Sequence, residues 1–211
     1  IDSASQGEEA VQAVVAERFR ELGCEVDVLR LLPNRLSLEK EFAAEEAIEM
    51  TERVTVVGKC SGTGDGRSLL FFGHPDNEPV TEESTRDWTR DPFKATVENG
   101  RIYGWGVADD LAGVAIMAEA LDAVQKAGLQ PRGDVYLGST PAKKNARGIL
   151  ALLDTGIVAD ASVYLHPAES EVGLNDVKAF ASGMLQFRVT VSGKGPETKE
   201  PGHTAFAHMA Q

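Results

Sequence analysis

Apolar residues recur at a helical spacing near the start of the chain, at Val11, Val14, Val15, Phe19 and Leu22, and the run stops at Gly23. Ser5-Gln6-Gly7-Glu8 has the spacing of a capping box, so the pattern predicts a first helix opening there. Cys24 to Leu32 alternates in part and predicts a strand. Ser37 to Glu52 carries Phe42, Ala43, Ala47 and Met50 among many Glu and Ala, which fits an exposed helix or a divergent connection whose charges form a solvated face. Val54 to Gly58 and Ser68 to Gly73 are short apolar runs of buried-strand type. The glycine-rich turn from Ser61 to Arg67 predicts a hairpin between them. Pro75 to Phe93 is a long acidic loop that Trp88 and Phe93 would pack down. Leu111 to Leu121 is small and apolar all round, the pattern of a helix buried on most sides and ending near Lys126. Gly128 and Pro131 stop it. Strands at Asp134 to Ser139 and Ala161 to Leu165 bracket a short helix over Asn145 to Leu153. The alternation predicts an α/β fold, a mixed β-sheet flanked by helices on both faces. From Met184 to Ser192 an alternating strand begins a region of different character, so the boundary is placed near Ser182. A first domain then spans 1–182 and a second begins at 183–211.

The 211 residues suffice for a sizeable core. A formal charge of -12 and a pI near 4.8 argue against nucleic acid and anionic membranes as partners, since phosphate binding needs clustered Lys and Arg. Cys24 and Cys60 fit no metal or redox spacing and read as small buried apolar residues, which suits a cytoplasmic location. No apolar run of membrane length occurs. The chain opens on Ile1 rather than Met, and it is expected to be a fragment lacking an amino-terminal piece and a carboxyl-terminal half.

Chemistry concentrates at two stretches, Phe72-Gly73-His74-Pro75-Asp76 and Gly104-Trp105-Gly106-Val107-Ala108-Asp109-Asp110. His74 and Asp76 emerge at the carboxyl end of a predicted buried strand, the edge of an open α/β sheet where ligands bind. Asp109 and Asp110 precede a helix, near the partial positive charge of its amino end. Together the two stretches read as one metal site.

These motifs, with Pro79, Asp87-Trp88, Asp91-Pro92-Phe93 and Gly100-Arg101-Ile102-Tyr103-Gly104-Trp105-Gly106, resemble the metal-dependent amidohydrolases that include aminoacylase, acetylornithine deacetylase, succinyl-diaminopimelate desuccinylase, glutamate carboxypeptidases and β-alanine synthase. The resemblance implies a zinc-exopeptidase-like catalytic domain in which His74 binds a metal, Asp76 orients it, and Asp109 bridges two metals. It also implies a cis peptide between Asp109 and Asp110. The region from Ser182 onward would begin an inserted α+β lid and dimerisation domain. His203 in Pro201-Gly202-His203-Thr204 resembles a lid histidine that reaches the substrate of the partner subunit, although His203 and His208 also fit a polar surface loop.

One part of the pattern is broken. The resembled family carries a Glu-Glu pair after the strand ending near Thr140, the first a general base and the second a metal ligand. Counting back from Gly148, Ala142 and Lys143 stand there instead. Ala142 cannot titrate, and a protonated lysine has no lone pair to offer a metal. His166-Pro167 occupies the place of a further family ligand, on the same metal as His74 and Asp109. The remaining set, His74, Asp109 and His166, is a single two-His, one-carboxylate site suited to one Zn, Mn or Co ion per subunit. Lys143 either compensates electrostatically for the second metal or is a plain solvent-facing lysine.

The resulting expectation is a metal-dependent hydrolase cleaving a C–N bond of a small-molecule substrate and acting as a homodimer or higher homo-oligomer. Asp76, Asp110 and His203 are its candidate catalytic residues, with Asp110 or Glu169 as proton acceptor. The alternatives are an aminohydrolase of an aromatic amine such as a substituted anthranilate, a catalytically inactive relative kept for binding or assembly, and a two-metal hydrolase whose missing carboxylate comes from elsewhere.

Overall fold

The structure, a computed structural model, describes residues 7–36, 48–166 and Thr190. Helix α1 (Glu8–Glu21) is followed by strands β1 (Glu25–Leu31), β2 (Arg53–Cys60) and β3 (Leu69–Gly73). A short helix α2 (Glu82–Thr85) and strands β4 (Thr96–Glu98) and β5 (Arg101–Tyr103) precede helix α3 (Ala112–Lys126). Strand β6 (Val135–Ser139), helix α4 (Gly148–Asp154) and strand β7 (Ala161–Tyr164) complete the described chain. The five-stranded sheet has the order β1-β2-β6-β3-β7. Its β1/β2 and β2/β6 pairs are antiparallel, while β6/β3 and β3/β7 are parallel.

The sheet is covered on both sides, as the alternation of elements predicts. Phe19, Val56, Val114, Met117 and Leu137 pack α1 and α3 against one face, and Val57, Leu70 and Leu152 pack α4 against the other. This explains why β2 is buried continuously from Arg53 to Gly58 instead of alternating: a central strand covered on both faces reads as an uninterrupted apolar run.

Several expectations are corrected. Strands β2 and β3 do not form a hairpin, because β6 lies between them. The glycine-rich link crosses the entry to β6, where the Gly62 N–H donates to Asp134 Oδ1 at 2.9 Å. A Cβ on Gly62 or Gly66 would lie 2.4 Å from backbone atoms of Arg132 or Gly133, so a close crossing, rather than a tight turn, demands these glycines. Helix α1 opens at Gly7 with no side-chain cap. The Glu8 carboxylate turns inward instead and accepts from Arg53 Nε at 2.5 Å. Helix α3 is buried along one stripe, Val114, Met117, Ala118 and Leu121, while Ile116 is 44% exposed among the described residues. Residues 143–145 form a 3-10 turn, so α4 starts only at Gly148. Phe93 is exposed; Trp88 instead packs on Trp105, ring centroids 5.9 Å apart. Cys24 is buried, Cys60 is partly buried, and both are free thiols.

Among the described residues no helix is long and apolar enough to cross a membrane. The domain boundary near Ser182, the strand at Met184 to Ser192 and most of the segment from Ser37 to Glu52 fall outside the described residues, and residues 48–52 are not helical.

Candidate metal centre

Parallel pairing sets β6, β3 and β7 side by side with their carboxyl ends at one edge. That edge carries the chemistry. His74 follows β3, His166 lies two residues beyond β7, and the loop after β6 carries Ala142 and Lys143. Asp109 and Asp110 have non-helical backbone at a kink in the segment Val107–Leu111 that leads into α3, with a cis peptide between them as the resemblance implies.

The three expected ligands converge. Asp109 Oδ1 lies 3.1 Å from His74 Nε2 and 3.1 Å from His166 Nε2. One ligand atom from each of the three residues falls within 4.8 Å of the others. The His74 ring is oriented from behind: its Nδ1–H donates to the Asp76 backbone carbonyl at 3.0 Å. That bond leaves Nε2 facing Asp109, because a ligating histidine donates its other ring N–H to an oxygen that fixes its orientation. Burial opposes a charge on His74, yet the Asp76 carboxylate, 3.4 Å from Nδ1, outweighs burial and holds the imidazole above its ordinary value. Two nitrogens and a carboxylate oxygen aimed at one another, half-open to solvent at Asp109, fit a borderline transition ion.

Asp76 is only 2% exposed and ties this centre to the loop that departs from the family pattern. Its Oδ1 accepts from the Ala142 N–H at 2.9 Å, and its Oδ2 from the Lys143 N–H at 2.7 Å and Arg53 Nη2 at 3.1 Å. Burial works to raise this carboxyl, but the partners, His74 first among them, hold it below its usual range. The anchored backbone points Lys143 at the centre: Nζ donates to Asp109 Oδ2 at 2.8 Å and lies 3.3 Å from Glu78 Oε1. Ala142 is exposed and carries no proton-transfer group.

Asp110 is fully buried. Its Oδ2 accepts from the His74 N–H at 3.1 Å. A Cβ on Gly73 would lie 2.8 Å from Asp110 Oδ2, and one on Gly113 would lie 2.3 Å from Oδ1, so both glycines make room for this carboxyl. Desolvation pushes it up to about 6, against the bond from His74 that favours its ionised form. His203 and Glu169 lie outside the described residues.

Two contributors escaped the sequence reading. Tyr164 stacks on Phe72 at 4.8 Å and lies 5.2 Å from the His166 ring, walling one side of the centre; its position on the strand that delivers His166 was the available signal. On the other side a cleft of about 380 Å³ is lined by Glu78, Trp88, Tyr103, Trp105 and Asp109. β5 contributes Ile102 and Tyr103 to it from the β4–β5 hairpin, which is turned at Asn99-Gly100, a dipeptide with a strong hairpin preference. A larger apolar groove between α1 and α3 contains none of the converging ligands.

The model of peptidase family M20/M25/M40 matches residues 70–210. The chain belongs to this family. Over 152 residues the M20/M25/M40 chain is 32% identical to a succinyl-diaminopimelate desuccinylase of Alkalilimnicola ehrlichii, and over 153 residues 31% identical to one of a Bradyrhizobium species. Each alignment covers 69% of this chain and 38% of the relative, so the chain spans well under half the length of these relatives. The fold is also that of an M20 family metallo-carboxypeptidase from Sulfolobus solfataricus, with TM-score 0.55 and 19% identity over 75% of this chain and 32% of that one. Human carnosine dipeptidase 1 aligns with TM-score 0.54 and 17% identity, covering 74% of this chain and 32% of its own.

Proposed function

We propose that this M20/M25/M40 chain belongs to a metal-dependent hydrolase that cleaves a C–N bond of a small molecule at a single-ion centre held by His74, Asp109 and His166. The observation that carries the reading is the shared approach of two imidazole nitrogens, each at 3.1 Å, to Asp109 Oδ1. A Zn, Mn or Co ion bound there would supply Lewis acidity, polarising a substrate oxygen and lowering the pKa of water.

The chain's own residues divide the remaining work. Asp76 fixes the His74 ring through its backbone carbonyl and fixes the 142–143 loop through its carboxylate. Asp110, being fully buried, is assigned a positioning role: it holds the His74 backbone and has no access to substrate, so it is not the proton acceptor in this reading. The aromatic cleft beside Asp109 receives the substrate, with Trp88 and Trp105 as its apolar wall. His203, an oligomeric assembly and a lid contribution belong to this reading as family expectations. A cysteine count of two, too few for a disulfide framework, suits a cytoplasmic setting.

One observation favours a second reading. Alanine at 142 leaves that position without a general base, which suits an aminohydrolase acting on an aromatic amine, whose leaving group needs less protonation. Full-length protein, stripped of ions and reloaded with zinc, manganese or cobalt, is to be assayed against N-acyl amino acids, dipeptides and aminobenzoates. Ion-dependent turnover that disappears in His74→Ala supports hydrolysis, and the productive substrate class separates the two readings. Absence of any ion binding, with His74→Ala indistinguishable from wild type, overturns both in favour of an inactive relative.

A further inference from the structure

The two oxygens of Asp109 meet different partners. Oδ1 faces both imidazoles, whereas Oδ2 accepts a hydrogen bond from Lys143 Nζ at 2.8 Å. The same ammonium lies 3.3 Å from Glu78 Oε1, so one positive charge sits between two carboxylates. Lys143 is mostly buried, its side chain 19% exposed, which sets it apart from a solvated surface lysine. It is held at both ends: its backbone N–H donates to Asp76 Oδ2 at 2.7 Å while its tip donates to Asp109.

A cation between two acids, bonded to the outer oxygen of a carboxylate whose inner oxygen belongs to a ligand set, is the charge pattern of a two-ion centre with one ion replaced. We propose that Lys143 is a built-in cation that occupies the position of a second divalent ion, restricting this centre to one ion per chain. The proposal rests on the single-ion reading above. An ammonium has three donors and no lone pair, so it satisfies the acids without binding metal. A dication approaching Asp109 Oδ2 would have to displace it and bear the repulsion of a neighbouring positive charge. Glu78 gains a role that no motif assigned to it, as the second acid of this position.

The account makes ion number a property of a single side chain. Lys143→Glu removes the resident charge and adds a third carboxylate beside Asp109 and Glu78, an oxygen-rich set suited to a hard divalent ion such as manganese. Lys143→Gln removes the charge with little change in bulk. Full-length proteins are stripped with a chelator, reloaded with manganese or zinc, and their bound ions counted by elemental mass spectrometry and by calorimetric titration, with folding checked by circular dichroism. The expected counts are one ion for wild type and Lys143→Arg and two for Lys143→Glu. Lys143→Gln admits a second ion at least tenfold more weakly than Lys143→Glu does, and it carries the test if Lys143→Glu does not fold. Two ions in wild type overturn the proposal, as does a single ion in both charge-removing variants; in the latter case the His74, Asp109 and His166 reading still stands. Wild type without any ion overturns that reading and the proposal with it.

Discussion

Two charged networks meet at Asp76, and they differ in how far the protein satisfies them. On the inner side Glu8, Arg53 and Asp76 are each no more than 5% exposed, and the Arg53 guanidinium bridges both carboxylates. On the outer side His74, Asp109, His166 and Lys143 converge where Asp109 is 42% and His166 29% exposed. The inner network joins α1, β2 and the loop after β3 and leaves little for a ligand to add. The outer network brings three donor atoms to one point at the rim of an aromatic cleft, where a cation from solvent can reach them. Burial with carboxylates paired across Arg53 marks the part that holds the fold, and convergence with exposure marks the part that does chemistry.

That division can be broken at either end. The largest expected effect is on ion binding: His166→Ala removes a ligand and abolishes tight zinc binding in calorimetry, a loss beyond the roughly 10–100-fold typical of changing a residue that only orients a ligand. The same variant, ion-free, unfolds in urea within about 0.5 kcal/mol of wild type, as a partly exposed site away from the core allows. Next comes Arg53→Ala, which strands two buried carboxylates and is expected to cost about 3–5 kcal/mol in urea unfolding. Material that remains folded still binds one ion; loss of binding without loss of stability would erase the distinction between the networks. Asp76→Asn touches both sides, weakening ion affinity by roughly 10–100-fold while also lowering stability.

The smallest effect is in pH dependence. Asp76 is held below its ordinary 3.8, so its contribution to ion-free stability is present above that value and is lost as pH falls further, through the depressed folded pKa. His74 is held above its ordinary 6.5, so its contribution is complete below 6.5 and is lost as pH rises through the elevated folded pKa. Ion-free protein should therefore gain least stability from this pair at the two extremes in a urea series across pH. Because an ion must displace the His74 proton, apparent zinc affinity should rise with pH above 6.5. An affinity flat across that range would remove His74 from the ligand set.

The sequence made the central strands legible because each is a short apolar run ending at a glycine or a polar loop. Pairing was less legible: β2 and β3 looked like a hairpin because the strand that separates them, Val135–Ser139, comes much later in the chain. The inner network left no local trace, since Glu8 and Arg53 are 45 residues apart and each looks like an ordinary charged residue. Local signals were also passed over. Thr81 and Ser84 cap α2 reciprocally inside the stretch read as a long acidic loop, and Asn99-Gly100 turns the β4–β5 hairpin beyond that loop, where no strands were expected. At the centre, motif likeness pointed to His74, Asp109 and His166 as one ligand set, and the parallel order β6-β3-β7 supplies the edge at which the two histidines meet Asp109. The burial of Asp110 could not be read from an Asp-Asp pair, because it depends on the space left by Gly73 and Gly113.

The most direct test is anomalous X-ray scattering from crystals of the full-length protein grown with zinc. The account predicts one peak, within about 2.0–2.2 Å of His74 Nε2, His166 Nε2 and an oxygen of Asp109, with Lys143 Nζ still bonded to the other oxygen. A zinc peak away from these three side chains, or a second peak in place of the lysine ammonium, would contradict it.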